Sequence, residues 1–432
     1  MLASCAKFGA RRSGSAVRTA RRHRSLLAAI DQGTSSSRVI LYDAKSLEPV
    51  SSHQVELASA TTTPQAGWSQ MDPLAIVKTV ELSASGALLK AGARAADVVG
   101  VGITNQREST VVWDRKTGKP LYDAVLWHDA RTRETSAALE EALGGQDALR
   151  PVCGLPISTY FSGVKLRWLV DNVPAVKAGL EAGTALVGTV DSWLAWNLTG
   201  GAAGVGGTTR HVTDVTNASR TMMMDLAAGA WHEPSIEALG IGLVGRSGAL
   251  PEIVSCAEQI GVISDGGPLS GAPLTGMIGD QQSAMVGQRC FSVGAAKITY
   301  GTGAFMLMHA GEGAPTPSRH GLLSTALYKF GRDAPTACVG VRPSSPWLGS
   351  GPAHRAGTPV RYALEGAVAC CAVGINWFRD SLGMLDDAPE VSKLATGARR
   401  SHLPHRSVRR GSLPTAAGAF CMVPGVDSTH GL

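Results

Sequence analysis

The run Asp31-Gln32-Gly33-Thr34-Ser35-Ser36-Ser37-Arg38 constrains this chain more than any other stretch. It lies between two apolar runs, Leu26-Leu27-Ala28-Ala29-Ile30 and Val39-Ile40-Leu41-Tyr42. Two strand-like runs joined by a short Gly/Thr/Ser turn specify a β-hairpin. Such a turn leaves backbone N–H groups free beside small hydroxyls, which is the chemistry of a phosphate cradle. Asp31 at its base could hold Mg²⁺ directly or through water, because the ion takes carboxylate, water and phosphate oxygens. The same residues also suit an ordinary solvated turn.

A second unit of this kind follows more than 260 residues later in Lys297-Ile298-Thr299-Tyr300-Gly301-Thr302-Gly303-Ala304-Phe305-Met306-Leu307. Two such hairpins, one per half, predict a duplicated α/β domain that closes on a nucleotide. Between them strands and helices alternate. Val99-Gly100-Val101-Gly102-Ile103 reads as a buried strand and Thr110-Val111-Val112-Trp113 as another, turning at 114–118. Residues 161–170 have helical apolar spacing, and 189–198 continue as an apolar unit. Leu274-Thr275-Gly276-Met277-Ile278-Gly279 reads as a strand that delivers Asp280 at its end, followed by a helix through Met285.

Composition bounds the function classes. The chain has 432 residues, enough for two or three domains. Its +6 charge is concentrated at the start: residues 1–30 carry Lys7 and six arginines and no acid, leaving about −1 for the rest. A near-neutral body gives no case for nucleic-acid binding. The Arg-, Ser- and Ala-rich leader 1–25 matches an organellar transit peptide, a disordered basic tail or a mis-assigned start. The expected compartment is therefore cytoplasmic, or mitochondrial or plastid. No apolar run is long enough for a transmembrane span. The eight cysteines and eleven histidines show no metal or disulfide spacing. No Walker A lysine motif and no Gly-x-Ser-x-Gly elbow is present.

The remaining chemistry suits phosphoryl transfer, which needs positioned phosphates, a metal and a base near the accepting hydroxyl. Asp280, directly after an apolar strand and beside Gly279, fits that base; an N-cap role fits equally. Arg107 and Glu108 together offer the donors and acceptors a polyol requires, and also suit an exposed turn. Trp127 and Phe305 could wall an apolar slot or sit in the core.

In their order, these pieces resemble the FGGY carbohydrate kinase family, and within it the glycerol kinases. The resemblance runs from about residue 28 to 394, apart from 337–358. It rests on 31–38, Thr104-Asn105-Gln106-Arg107-Glu108, Tyr160-Phe161-Ser162-Gly163-Val164-Lys165-Leu166-Arg167-Trp168, Gly188-Thr189-Val190-Asp191-Ser192-Trp193, the stretch 213–222, Gly279-Asp280-Gln281-Gln282 and Tyr300-Gly301-Thr302-Gly303. It implies the α/β, two-domain actin/hexokinase-like ATPase (ribonuclease H-like) fold, and ATP-dependent phosphorylation of glycerol with Mg²⁺. By resemblance Asp31 serves Mg²⁺, and Thr34, Ser35, Ser36, Arg38 and Thr302 attend the nucleotide phosphates. Arg107, Glu108, Tyr160, Asp280 and Gln281 would bind the glycerol hydroxyls, with Trp127 and Phe305 against its carbons. Asp280 would be the general base. Ala372 stands at the nucleotide where the family usually has glycine.

The implied division is a leader 1–25, an N-terminal domain 26–289, a partial C-terminal domain 290–395 and a divergent basic tail 396–432. Residues 337–358, rich in Pro, Gly and Ser, read as an insertion. Past 394 the resemblance nearly vanishes and the family's adenine-holding Gly-Gly-Ala stretch is missing, so an incomplete second domain is expected, from retained intron sequence or a frame change. The competing readings are another FGGY polyol or sugar kinase, and a non-catalytic product lacking the adenine site. A homo-oligomer stays open.

Overall fold

The computed structural model describes residues 25–204, 207–300, 304–313, 317–318, 320–331, 359–368, 379 and 386–387. Thr302, Ala372, the segment 337–358, the tail 396–432 and the leader before Ser25 lie outside the described residues.

The expected hairpin forms the heart of a six-stranded mixed sheet. Strand Leu26–Gln32 alternates buried and half-buried side chains and pairs antiparallel with Ser36–Asp43, which pairs with Pro49–Glu56. On its other edge Leu26–Gln32 runs parallel to Val98–Asn105, and that strand runs parallel to Pro273–Gly279. Ala257–Val262 completes the edge antiparallel. The strand at 98–105 is buried, as expected, except at Val99, which is 47% exposed; there the register against Leu26–Leu27 slips by one residue and leaves Val99 bulged out of the pairing.

Helix Pro73–Ala91 covers one face. It is capped by the Asp72 side chain at its start and by left-handed Gly92 at its end, both the residue types those positions favour. A five-stranded antiparallel sheet, ordered 61–62, 70–71, 124–125, 110–114 and 185–189, packs alongside. Trp113 on it meets Trp193 and Trp196 of helix Val190–Leu198 at 5.2 and 5.8 Å between ring centres. These rings join the core under the six-stranded sheet. Helix Ser162–Asn172 packs Val164, Leu166 and Leu169 into a second core with Ile236 and Leu239.

A separate four-stranded antiparallel sheet follows the helix Asp280–Gly287. Its order is Ala296–Tyr300, Ala304–Glu312, Arg361–Val368, Leu323–Tyr328. The first two strands are the second predicted hairpin. A third core, containing Trp127, Met285, Phe305, Leu307, Leu327 and Tyr362, seats this sheet on the first. Among the described residues no helix is long and apolar enough to cross a membrane.

The seam between helix Arg150–Cys153 and the second sheet is tight at Gly154. It sits at φ +77° after helix Arg150–Cys153, its carbonyl accepts the Ser324 N–H at 3.0 Å, and a Cβ there would lie 2.4 Å from the Ser324 carbonyl oxygen. Gly154→Ala is therefore expected to destabilise by about 1–3 kcal/mol through backbone strain and a forced opening of the seam. Denaturant unfolding of the variant checks this; unchanged stability would show that the seam yields freely.

Candidate active site

Parallel pairing sets the site. Asp31, Thr104 and Ile278 lie at one level of the central strands, and the chain leaves each strand within a few residues. Asp31, Arg107, Glu108 and Asp280 thus gather at the carboxyl edge of the sheet, where open α/β sheets present their ligand crevice.

Asp280 is the first residue of its helix, and Gly279 occupies the cap position. Its Oδ1 accepts the Gln281 backbone N–H at 2.7 Å, its Oδ2 faces Gln281 Nε2 at 3.3 Å, and Arg107 Nε lies 3.2 Å from Oδ1. The side chain keeps 36% of its surface open to the crevice. Burial of the surrounding recess raises its pKa above the ordinary carboxylate value, while Arg107 and Gln281 oppose the rise. The space beside Gly279 belongs to Arg107, whose Cδ would lie 2.8 Å from an added Cβ.

Arg107 and Glu108 are not an exposed turn pair; both are buried. Arg107 makes a two-pronged pair with Glu365, Nη1–Oε2 2.7 Å and Nη2–Oε1 3.1 Å. Glu108 sits at φ +62°, a strained conformation for a non-glycine residue. Its carbonyl is held by Ser162 Oγ at 3.0 Å and Thr110 Oγ1 at 3.1 Å. Its carboxylate takes Arg220 Nε at 2.6 Å, and Arg220 Nη2 reaches Glu365 Oε1 at 3.2 Å. Burial raises the Glu108 pKa despite Arg220 and Arg107. For Glu365 burial acts the same way, but Arg107 and Arg220 outweigh it and its pKa falls. For Arg107 burial is likewise outweighed, by Glu365 and Glu108, and its pKa rises.

Aromatic rings line one side. Trp127 meets Tyr160 and Phe305 edge-on at 5.8 and 5.9 Å, and Arg107 lies 5.8 Å over Phe305. The Trp127 indole donates to Thr34 Oγ1 at 2.9 Å, tying this wall to the first hairpin. Burial pushes the Tyr160 phenol well up, with Glu108 adding to it.

The hairpin turn is less open than its composition predicted. The Gly33 N–H is spent on the Ser36 carbonyl at 2.9 Å. Gln106 Nε2 braces the turn at Gln32 Oε1 and the Gly33 carbonyl, 3.2 Å each. Asp31 and Arg38 pair with each other at 2.7 Å, both partly exposed, because antiparallel register sets them opposite. Ser35 remains exposed and Thr34 and Ser36 half-exposed. Among the described residues no cluster of three His, Cys, Asp or Glu forms a metal cage.

Sequence reasoning missed Glu365, Arg220, Lys297 and Lys165. The signal was available for Glu365 and Lys165: each is a charge inside an apolar stretch, which demands a buried partner. Lys165 Nζ donates to the carbonyls of Thr159, at 2.8 Å, and Tyr160, and so fixes the backbone that presents Tyr160. Glu365→Gln would leave Arg107 and Arg220 short of a shared counter-charge. We expect a loss of about 3–5 kcal/mol, the cost of breaking a buried pair from one side. Thermal and denaturant unfolding measure it; a loss below ~1 kcal/mol would mean that water reaches the cluster.

The model of the FGGY family of carbohydrate kinases, N-terminal domain, matches residues 26–287. The chain is 46% identical over 367 residues to a glycerol kinase of Acidiphilium cryptum, covering 85% of this chain and 66% of that protein. It is 45% identical over 374 residues to a glycerol kinase of Arabidopsis thaliana, covering 85% and 65%. It thus spans just under two thirds of the length of these curated relatives. The crystal structure of Plasmodium falciparum glycerol kinase with ADP superposes with a TM-score of 0.72 at 32% identity, over 87% of this chain and 67% of that one. A xylulose kinase from Rhodospirillum rubrum shares the fold, with a TM-score of 0.66 at 18% identity over 86% and 66%. On the match to more than half its length, the chain belongs to the FGGY family of carbohydrate kinases.

Proposed function

We propose that the chain phosphorylates glycerol with ATP to give sn-glycerol 3-phosphate. The observation that carries this reading is the meeting of Arg107, Glu108 and Asp280 at one sheet edge beneath the Trp127–Tyr160–Phe305 wall. Charged donors and acceptors beside an apolar wall match a small polyol, whose hydroxyls alternate with short carbon surfaces.

In this reading Arg107, Glu108, Tyr160 and Gln281 hold the glycerol hydroxyls, with Trp127 and Phe305 against its carbons. Asp280 accepts the proton of the terminal hydroxyl as that oxygen attacks the γ-phosphorus in line and the β–γ bridging oxygen leaves with ADP. Thr34, Ser35, Ser36 and Arg38 attend the phosphates, joined by Thr302 and, near the nucleotide, Ala372. An arriving phosphate competes for Arg38 and releases the Asp31 carboxylate. A partly exposed carboxylate beside hydroxyls, once freed from Arg38, fits Mg²⁺, which would keep water and phosphate ligands there; when bound the ion neutralises charge on the transferring group. The lobes divide near residues 289 and 290, with the second continuing to about 395.

A coupled assay with glycerol, ATP and Mg²⁺ tests this; no glycerol-dependent ADP release from folded protein would refute it. Asp280→Asn should lower kcat by about 10²–10⁴ while leaving the fold intact. Because Asp280 works as a carboxylate with a raised pKa, kcat/KM should fall on the acid side at a pH above the ordinary aspartate value. A pH–rate profile of the unaltered protein checks the sign.

A further inference from the structure

Lys297 occupies the strand Ala296–Tyr300 with its side chain turned inward and almost fully buried. Its ammonium donates to Gln281 Oε1 and, at 2.6 Å, to Thr299 Oγ1. That contact commits the Gln281 amide. With its oxygen taken by a cation, its nitrogen is left to face Asp280 Oδ2 at 3.3 Å, while the Gln281 backbone N–H meets Oδ1 at 2.7 Å. Arg107 Nε closes the third side of the carboxylate at 3.2 Å. An amide without such an anchor has two orientations of similar shape, and the flipped one sets oxygen against oxygen.

We propose that Lys297 is the positioning residue of the Asp280–Gln281 pair: its ammonium locks the Gln281 amide with nitrogen toward Asp280 and leaves both side chains preset for a polyol hydroxyl. This rests on the reading of that pair as part of a glycerol site. Lys297 comes from the second sheet, whereas Asp280 and Gln281 open the helix that leaves the first, so the anchor also couples the two sheets at the reacting end of the crevice.

The charges around the ammonium determine when it holds. Burial lowers its pKa to about 8; Asp280 and Glu365 favour its charge and Arg107 opposes it. Around Asp280 itself stand Arg107 and Glu365, with Glu108, Arg220 and Tyr160 behind Arg107. The sign follows. Below about pH 8 the lysine is charged and the amide is locked; above it the anchor weakens and glycerol binding should fall.

The test is glycerol affinity by calorimetry from acidic to alkaline pH on the full chain, compared with Lys297→Met and Lys297→Arg. The unaltered protein should bind more weakly as pH rises through about 8. Lys297→Met should bind about tenfold or more weakly at neutral pH, with no such alkaline limb, because one charge-assisted hydrogen bond is lost. Lys297→Arg keeps the charge and should abolish the limb while restoring most of the affinity. Wild-type affinity in Lys297→Met, or a limb near pH 8 that survives either substitution, overturns the proposal. Should the methionine variant fail to fold, the arginine variant decides alone, since a merely structural lysine would leave the limb in place. Absence of glycerol binding by the unaltered protein would sink the glycerol reading and this inference together; binding that ignores Lys297 sinks only the latter.

Discussion

Two arginines and two glutamates, none with more than a trace of exposed surface, hold the crevice in shape. Glu365 receives Arg107 on both carboxylate oxygens and Arg220 on one, and Arg220 also pairs with Glu108. Charges so deep are costly to desolvate and persist only when each is met by an opposite charge in good geometry. Their value lies less in net stability than in uniqueness: with Glu365 on the second sheet, Arg107 just past the first sheet's strand Val98–Asn105 and Arg220 just past the helical turn Val215–Ala218, the second sheet has one low-energy seating. With its Nη groups turned to Glu365, Arg107 presents its Nε to Asp280. A group that must meet a substrate within tenths of an ångström is thereby fixed by partners outside the reacting centre.

The strain at Glu108 belongs to the same design. A positive φ on a non-glycine residue costs of order 1–3 kcal/mol and survives only where its surroundings over-determine it. Ser162 and Thr110 hold its carbonyl, and Arg220 holds its carboxylate. The turn reverses the chain immediately past Arg107, so two adjacent residues of opposite charge both reach the crevice instead of opposite faces of a strand.

Much of the architecture was legible in local sequence. Alternating apolar residues around 31–38 and 297–307 dictated hairpins because side-chain period and turn chemistry act over a few residues. Asp280 at the end of an apolar strand, and the Arg107-Glu108 pair after another, were equally visible as chemistry without a role. What spacing left undecided was their environment. The pair suited a solvated turn as well as a site, and Asp280 an N-cap as well as a base, because exposure is a property of what packs on top. The turn that promised free N–H groups uses one of them on itself, and Gly279 makes room for Arg107, since both outcomes depend on contacts from distant strands.

The sequence by itself determined the element order, the two hairpins, the placement of chemically able residues at strand ends and the family likeness, all carried by short-range pattern and motif. The tertiary structure decided which of those residues meet. Parallel pairing of three strands distant in sequence brought Asp31, Arg107 and Asp280 to one edge. Packing of the second sheet supplied Glu365 and Lys297, two buried charges whose partners no local pattern could name. Burial then turned them from solvated charges into constraints, because an ion removed from water takes whatever opposite charge or hydrogen bond the fold sets within reach.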